Sequence, residues 1–436
     1  MNLSIFFQPV NPDVCPLSAP ANSFFRSIAV HRDTFPNYQE ADIALLGITE
    51  NRGAADNPGV SEAADAVRQA LYLLKKGSGA YRVADLGNLA VGHSLEETYT
   101  RVREVCGMLM ASNTLPVLIG GSHDIDYGQY LAYENLDQLV NLVSVDAYID
   151  IQPQHEQRDG DQCRNHLHYI LTHEKNYLLN YSHVAYQSFL VDRQAPALLE
   201  RFCFDTHRLG QVTQQLTAIE PVMRQANMLS FDVSAIKAAD APGNVRAQPF
   251  GLTGQEACQL CWYAGHSERL TSAGFFEYNP QQDDQRRTTA SVIATMAWYL
   301  IEGYYHRTYE EDFAGNDFVK YMVPMSATPE HITFYKAKRS EKWWMEVPRM
   351  DIPRMDILRV DAPRMDIPRV DAPRMDIPRS GGVPPSETYM DSEEFNLSSE
   401  LLQSRRRIVP CDPSDYHRAV QGDLPDRWIQ AHAKYL

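Results

Sequence analysis

Residues 115–124 read Leu-Pro-Val-Leu-Ile-Gly-Gly-Ser-His-Asp. A short apolar run broken by paired glycines suits a strand covered on both faces that turns sharply at its end. His123 and Asp124 are left at the mouth of that strand. The same grammar returns downstream. Leu142–Val145 (LVSV) runs into Asp146-Ala147-Tyr148-Ile149-Asp150, Met228–Phe231 (MLSF) into Asp232-Val233-Ser234, and Ala273–Phe276 (AGFF) into Glu277. Ala41–Gly47 (ADIALLG) and His183–Gln187 (HVAYQ) complete the buried-strand candidates. Between them the periodicity predicts amphipathic helices at Ser61–Lys76, Leu95–Met110 and Thr288–Ile301. Alternating strands and helices from residue 41 to about 307 predict an α/β fold, three layers deep (α-β-α), with a mostly parallel sheet and right-handed crossovers. Ligands of such sheets bind beyond the C-terminal ends of the strands.

Composition narrows the function. The chain has 436 residues, 44% hydrophobic and 22% charged, with a formal charge of −16. A strongly acidic chain is a poor partner for polyanions, which disfavours nucleic acid and anionic membrane. The first residues, MNLSIFFQPVNPDVCP, carry no basic region and no long apolar stretch, so no signal peptide is expected. No apolar run approaches the ~20 residues that span a bilayer. Seven thinly spread cysteines read as free thiols in a reducing cytoplasm. Cys258 and Cys261 have CxxC spacing, but the stretch around them, QEACQLCWYAG, reads as a helix with two small core residues one turn apart.

Past residue 307 the character changes. Pro348–Ile377 consists of five-residue units (PRMDI, LRVDA, PRVDA) with proline at nearly every fifth position and one Arg and one Asp in each. Such units offer no core, so residues 348–386 read as an extended or disordered insertion. The expected organisation is an N-terminal segment (1–40), the α/β domain (41–307), an extension (308–347), the repeat, and the rest of the extension (387–436). In the extension, the pair Trp343-Trp344 reads better as core packing than as a lid or an interface anchor.

Four successive strand ends bearing His, Asp/Asp, Asp and Glu would converge on one sheet edge. Unpaired carboxylates there raise one another's pKa and cost stability, and a divalent cation removes that cost. A mixed His/carboxylate set suits Mn²⁺, with Zn²⁺ or Fe²⁺ as competitors.

This pattern resembles the ureohydrolase family, which includes arginase, agmatinase and formimidoylglutamase. The resemblance spans residues 40–307 and includes GITENRGAADNPGVSEAADAVRQAL, like the family's Gly-rich entry loop and its following helix. Ala241–Ala257 (APGNVRAQPFGLTGQEA) looks most like the formimidoylglutamase branch. The resemblance implies an arginase-like fold and hydrolysis of a C–N bond in a linear amidine or guanidine by metal-bound water. It also implies a small-molecule substrate, and family members that assemble as trimers or hexamers. Carried over position by position, His123, Asp146, Asp150 and Asp232 would form the family's first Mn²⁺ site. The second site shares Asp146 and Asp232 but needs a His where this chain has Tyr148 and an Asp where it has Ser234. Tyrosine is a poor ligand near neutral pH, and a serine hydroxyl is a weak one. At most one Mn²⁺ is therefore expected.

Three readings of the cluster stand: a mononuclear site, a metal-free relic with Tyr148 and an Arg or Lys filling the space, and an unrelated group of acids. Softer candidates surround it. His166 and His168 lie where the family places a proton-shuttling His, with His168 taken as the catalytic candidate against a surface or packing role. Glu277 would orient a cationic amidine through a charge-assisted pair, or else be a buried acid paired with Arg286 or Arg287. Asn51 and Arg52 would line the entrance or be ordinary loop residues. The rival to an enzyme is a metal-poor member that binds a ligand or partner without catalysis.

Overall fold

The computed structural model describes residues 2–151, 161–310, 312–313, 315–326, 331–348 and 406–434. The repeat from residue 349 onward, and residues 387–405 of the expected extension, lie outside the described residues. The chain divides into two compact units. One runs through residue 319 and takes in 336–343 and 410–412; the other is built from the segments that remain.

The first unit is organised on one sheet. Its strands are β1 (Phe7–Gln8), β2 (Ala29–Val30), β3 (Ile43–Ile48), β4 (Val83–Leu89), β5 (Leu115–Ile119), β6 (Val140–Val145), β7 (Leu178–Tyr186), β8 (Asp205–Arg208), β9 (Met228–Asp232) and β10 (Ser272–Phe276). The order is β1-β4-β3-β5-β10-β9-β6-β7-β8, with β2 also against β4. Among these ten strands only β1 runs antiparallel to its neighbour. The helices are α1 (Ala63–Leu71), α2 (Leu95–Ala111), α3 (Ile125–Asn135), α4 (His166–Thr172), α5 (Gln194–Arg201), α6 (Leu209–Gln214), α7 (Glu220–Arg224), α8 (Gly254–Gly265) and α9 (Thr288–Tyr305).

The period-2 alternation of the strands sorts the core into two faces. Ile43, Leu45, Leu115, Val117 and Ile119 point to the side packed by α1, α8 and α9. Ala44, Leu46 and Leu118 point to the side packed by α2 and α3, where Leu142 and Met228 meet α3, α4 and α5. Helices on both faces of a mostly parallel sheet make the expected three-layer α-β-α architecture.

Strand order matters more than layer count here. β5, β10, β9 and β6 lie side by side, although β5 and β6 are consecutive in sequence and β9 and β10 come far later. The four strands whose ends bear His123, Glu277, Asp232 and Asp146 are thus immediate neighbours.

Several boundaries differ from expectation. The first helix is shorter, Ala63–Leu71, because the carbonyls of Tyr72 and Leu74 accept backbone hydrogen bonds from Phe25 and Phe24 instead of prolonging it. β7 begins at Leu178, and β1, β2, β4 and β8 carry no signal that sequence periodicity exposes. Cys258 and Cys261 are buried on α8, and all seven cysteines are free.

The second unit is built around a four-stranded sheet of β11 (Phe318–Pro324), β12 (His331–Ala337), β13 (Trp343–Pro348) and β14 (Arg406–Cys411), in that order. Helices α10 (Pro413–Val420) and α11 (Asp426–Ala433) follow. Trp344 on β13 is buried. No helix among the described residues is long and apolar enough to cross a membrane.

Candidate metal centre

The turn after β5 needs both of its glycines. Gly120 and Gly121 have φ of 89° and 80°, and a Cβ on Gly121 would come within 2.5 Å of Ile48 Cγ2. This left-handed turn, which glycine enters without steric cost, drops the fully buried His123 beneath the ends of the neighbouring strands. Its Nδ1 lies 3.3 Å from Asp232 Oδ2, 3.5 Å from Asp150 Oδ2 and 3.6 Å from Asp146 Oδ2. The ring's other nitrogen, Nε2, is 2.8 Å from Ser230 Oγ. Ser230 donates its proton to Asp126 Oδ2 (3.0 Å), so its oxygen accepts from Nε2–H, and the Nδ1 edge is the one turned to the carboxylates.

Ser234 holds two of the acids and His166 the third. Asp146 Oδ1 accepts from Ser234 Oγ (2.7 Å) and from the Tyr148 amide (3.0 Å). Asp232 Oδ1 accepts the Ser234 amide (2.6 Å). Asp150 Oδ2 is 3.2 Å from His166 Nε2, whose Nδ1 is 2.7 Å from Asp126. Both ring nitrogens of His166 are therefore engaged in the acidic network.

The electrostatics match the crowding. Burial, then the charges of Asp232 and Asp150, drives the Asp146 carboxyl well above its ordinary range. Burial pushes Asp150 the same way, but the adjacent imidazoles of His123 and His166 outweigh it and hold its carboxyl well below that range. Burial opposes a charge on His123, yet Asp150 and Asp232 raise it well above the usual imidazole value. A protonated His123 is the cluster's own answer to its acids, and metal binding would displace that proton.

The residues fit one divalent ion. Oxygen and nitrogen ligands about 2.0–2.2 Å from one ion lie roughly 2.8–3.6 Å apart, from octahedral neighbours to tetrahedral ones, a range that takes in the three His123–carboxylate distances. His123, Asp146, Asp150 and Asp232 each offer an atom within 4.8 Å of all the others. His123 Nδ1 and Asp232 Oδ2 are buried and lack a hydrogen-bond partner among the described residues, and a cation would satisfy both.

Tyr148 and Ser234, where the family resemblance would place ligands of a second ion, are engaged otherwise. The Tyr148 hydroxyl accepts from Gln248 Nε2 (3.0 Å), and Ser234 Oγ is spent on Asp146. The Arg246 guanidinium lies over the Tyr148 ring, 5.2 Å from its centroid. Its Nη2 is 3.8 Å from Glu277 Oε2 and 3.8 Å from Cys163 Sγ. Arg246 is the residue that sequence reasoning missed. It lies within the Ala241–Ala257 stretch, but its partners are scattered along the chain and no local spacing flags it.

Glu277 follows β10 with φ of 65°, a left-handed backbone that surrounding bonds over-determine. Its amide donates to Gly121 O (3.0 Å), and its carbonyl accepts from Asn57 (3.1 Å) and Asn244 (3.0 Å). Oε1 accepts the His123 amide (2.9 Å) and Oε2 accepts Asn57 Nδ2 (2.8 Å). Burial raises this carboxyl to about 7 against the pull of Arg246. Its cationic neighbour is thus Arg246, where Arg286 or Arg287 was expected; the Arg287 guanidinium instead donates to the Pro280 carbonyl.

Other expectations are redistributed. His168 is half-buried in the first turn of α4, its ring against Tyr169 at 6.2 Å. It is His166, on another face of that helix, that reaches the carboxylates. Arg52 pairs with Glu50, and Asn51 donates to the Pro58 carbonyl (2.9 Å).

Comparison with known proteins agrees with this layout. Residues 41–302 match the arginase family model. A formimidoylglutamase of Staphylococcus aureus (strain MSSA476) is 25% identical over 272 residues, covering 60% of this chain and 86% of that protein. Trypanosoma cruzi formiminoglutamase, solved with Mn²⁺, superimposes with a TM-score of 0.58 at 19% identity, covering 66% of this chain and 99% of that one. Bacillus subtilis formimidoylglutamase gives 0.58 at 17% identity, covering 65% and 92%. With the family model spanning most of the α/β unit, the chain belongs to the arginase family.

Proposed function

We propose that this arginase-family hydrolase cleaves a C–N bond of a linear amidine on a small molecule, as a formimidoylglutamase does, with a single divalent ion, Mn²⁺ first among candidates. The observation that carries the reading is the buried convergence of His123, Asp146, Asp150 and Asp232, with Nδ1 and Oδ2 left unpartnered, beside the buried carboxylate of Glu277.

An ion held by those four residues supplies Lewis acidity and lowers the pKa of water, as hydrolysis of an unactivated amidine requires. The protein's own groups do the rest. Glu277, fixed through both oxygens by His123 N–H and Asn57, presents a carboxylate to the amidinium N–H groups through charge-assisted hydrogen bonds. His166 holds Asp150 in place through Nε2 while Asp126 fixes its ring, a positioning role. Asp146 and Asp232 are oriented by Ser234. With two ligands of a second ion replaced and Arg246 beside them, one ion per chain is the expected content. A metal-poor binding protein is the weaker reading, because it leaves three buried carboxylates crowded together with Asp232 Oδ2 accepting no hydrogen bond from the described residues.

The test is metal content and product release together. Protein loaded with Mn²⁺ and desalted should retain about one equivalent and release formamide from N-formimidoyl amino acids. Absence of bound metal, with no formamide, ammonia or urea released from any amidine or guanidine, overturns the proposal.

A further inference from the structure

The Arg246 guanidinium is a buried cation with more donors than partners. Arginine offers five N–H donors in a planar fork. Among the described residues Arg246 makes one weak contact to Cys163 Sγ and a 3.8 Å ion pair with Glu277 that is too long for a hydrogen bond. Its Nε is buried without a partner, and its side chain is only 10% exposed. The geometry around it is built. The Arg246 amide donates to Asn244 Oδ1 (2.6 Å), and its carbonyl accepts from Gln248 Nε2 (2.8 Å). Gln248 in turn donates to Tyr148, whose ring backs the guanidinium. A flat, backed guanidinium with free edge donors is the arrangement that recognises a planar carboxylate with two parallel hydrogen bonds.

We propose that Arg246 is a specificity-determining residue, and that its guanidinium binds the carboxylate of the amidine substrate. This deepens the hydrolase reading and rests on it. Glu277 and Arg246 present opposite charges 3.8 Å apart, so a fitting ligand carries an amidinium and a carboxylate side by side. In an N-formimidoyl α-amino acid the amidine carbon and carboxylate carbon are three bonds apart, within about 3.8 Å, as three-bond backbone spans are. An ω-guanidino amino acid separates its two charges by a flexible chain about twice as long. It would also place a guanidinium against the fixed cation of Arg246 with no carboxylate in reach to compensate.

The experiment compares two amidines that differ in one group, N-formimidoylglycine and N-methylformamidine, on the Mn²⁺-loaded full chain and its Arg246→Met and Arg246→Lys variants. Calorimetric titration of the metal-free proteins with glycine and with methylamine gives a readout independent of turnover. The wild type is expected to prefer the carboxylated amidine by about 100-fold or more in kcat/KM, since a site built to hydrogen-bond a group rejects the analogue lacking it. Arg246→Met should shrink that ratio below about tenfold and Arg246→Lys should restore part of it, with the Mn²⁺ content of both at the wild-type level. Glycine should bind the wild type and lose its measurable heat in Arg246→Met. An unchanged ratio in Arg246→Met, or a wild type indifferent to the carboxylate, overturns the assignment while leaving the hydrolase reading intact. If the wild type turns over neither amidine, the glycine titration decides: heat that is absent from the wild type, or unchanged in Arg246→Met, overturns the assignment, while the hydrolase reading stands or falls on its own test.

Discussion

Replacing Asp232 by Asn tests the metal centre with the least disturbance. Asn has nearly the same shape, and its Oδ1 keeps the bond from the Ser234 amide that Asp232 accepts at 2.6 Å. What changes is Oδ2, the buried oxygen without a partner that lies 3.3 Å from His123 Nδ1. An amide nitrogen there cannot ligate a cation. Loss of groups that merely orient ligands costs 10–100-fold in metal affinity, so loss of a ligand atom should cost at least about 100-fold. At a free Mn²⁺ concentration 100 times the wild-type dissociation constant, binding stabilises the fold by about 2.7 kcal/mol. The variant at that same concentration would gain only about 0.4 kcal/mol. With a shift of about 2 °C per kcal/mol, the Mn²⁺-induced rise in Tm should fall from about 5 °C to about 1 °C. Differential scanning calorimetry with and without Mn²⁺ reads this directly, each protein serving as its own baseline. An equal rise in both proteins refutes the assignment of Asp232 as a ligand, and with it the argument from the orphaned oxygen.

Glu277→Gln keeps one acceptor oxygen, enough for the His123 amide but not also for Asn57 Nδ2, and removes the charge that holds an amidinium, so kcat/KM for a cationic amidine should fall about 100-fold or more, while Mn²⁺ content measured by mass spectrometry stays at the wild-type level. Restoring the second ion should require three changes: Tyr148→His with Ser234→Asp should add no second equivalent of Mn²⁺ unless Arg246→Met is also made. Two equivalents in the double variant would show that Arg246 does not guard that position. Arg68→Met should cost about 3–5 kcal/mol in urea unfolding, because Arg68 pairs through Nε and Nη2 with both oxygens of the fully buried Asp85 at 2.9 Å; adding Asp85→Leu should recover most of the loss. His266 is held down to about 4 by burial, then by Lys342, His306 and Arg307. A depressed imidazole costs stability once its unfolded counterpart protonates, so stability should decline as pH falls from about 6.5 toward 4, and less so in His266→Gln, by the same unfolding assay.

The central strands could be read from sequence because each is a short run buried on both faces and stopped by glycine or a charge. β4 escaped notice because Asp85 and Asn88 interrupt its apolar pattern, and both are tied to Arg68 on another element. β8, Asp-Thr-His-Arg, is polar throughout, and two-residue strands such as β1 and β2 have no period to detect. The identity of the histidine at the acids was equally hidden. His166 and His168 are two residues apart, so on a helix they point roughly 200° apart, and only the tertiary placement of α4 decides which one faces Asp150. Arg246 marks the firmer limit. Its meaning comes from Tyr148 just after β6, Cys163 in the 3₁₀ turn before α4, and Glu277 after β10, which are far apart in sequence from it and from one another.

The exchanges at the second-ion position form a coherent set. If Tyr148 and Ser234 were simple losses of ligands, the buried acids they left behind would lack a counter-charge, and an uncompensated buried charge costs several kcal/mol. The structure shows compensation on each count instead. Serine in place of a carboxylate removes one negative charge, and its hydroxyl satisfies Asp146 Oδ1 at 2.7 Å. The Tyr148 ring gives a guanidinium a face to lie on, and its hydroxyl anchors Gln248 from the same loop. Arg246 then supplies a cation that stays charged at any physiological pH, where a metal's charge would depend on supply. Its own pKa is held far above the ordinary value, against burial, chiefly by Glu277. A metal at that position would polarise a ligand; a guanidinium orders and selects one by hydrogen bonds. On the proposed reading, the chemistry would be concentrated on the one ion position formed by His123, Asp146, Asp150 and Asp232, and the space beside Tyr148 and Ser234 would serve recognition.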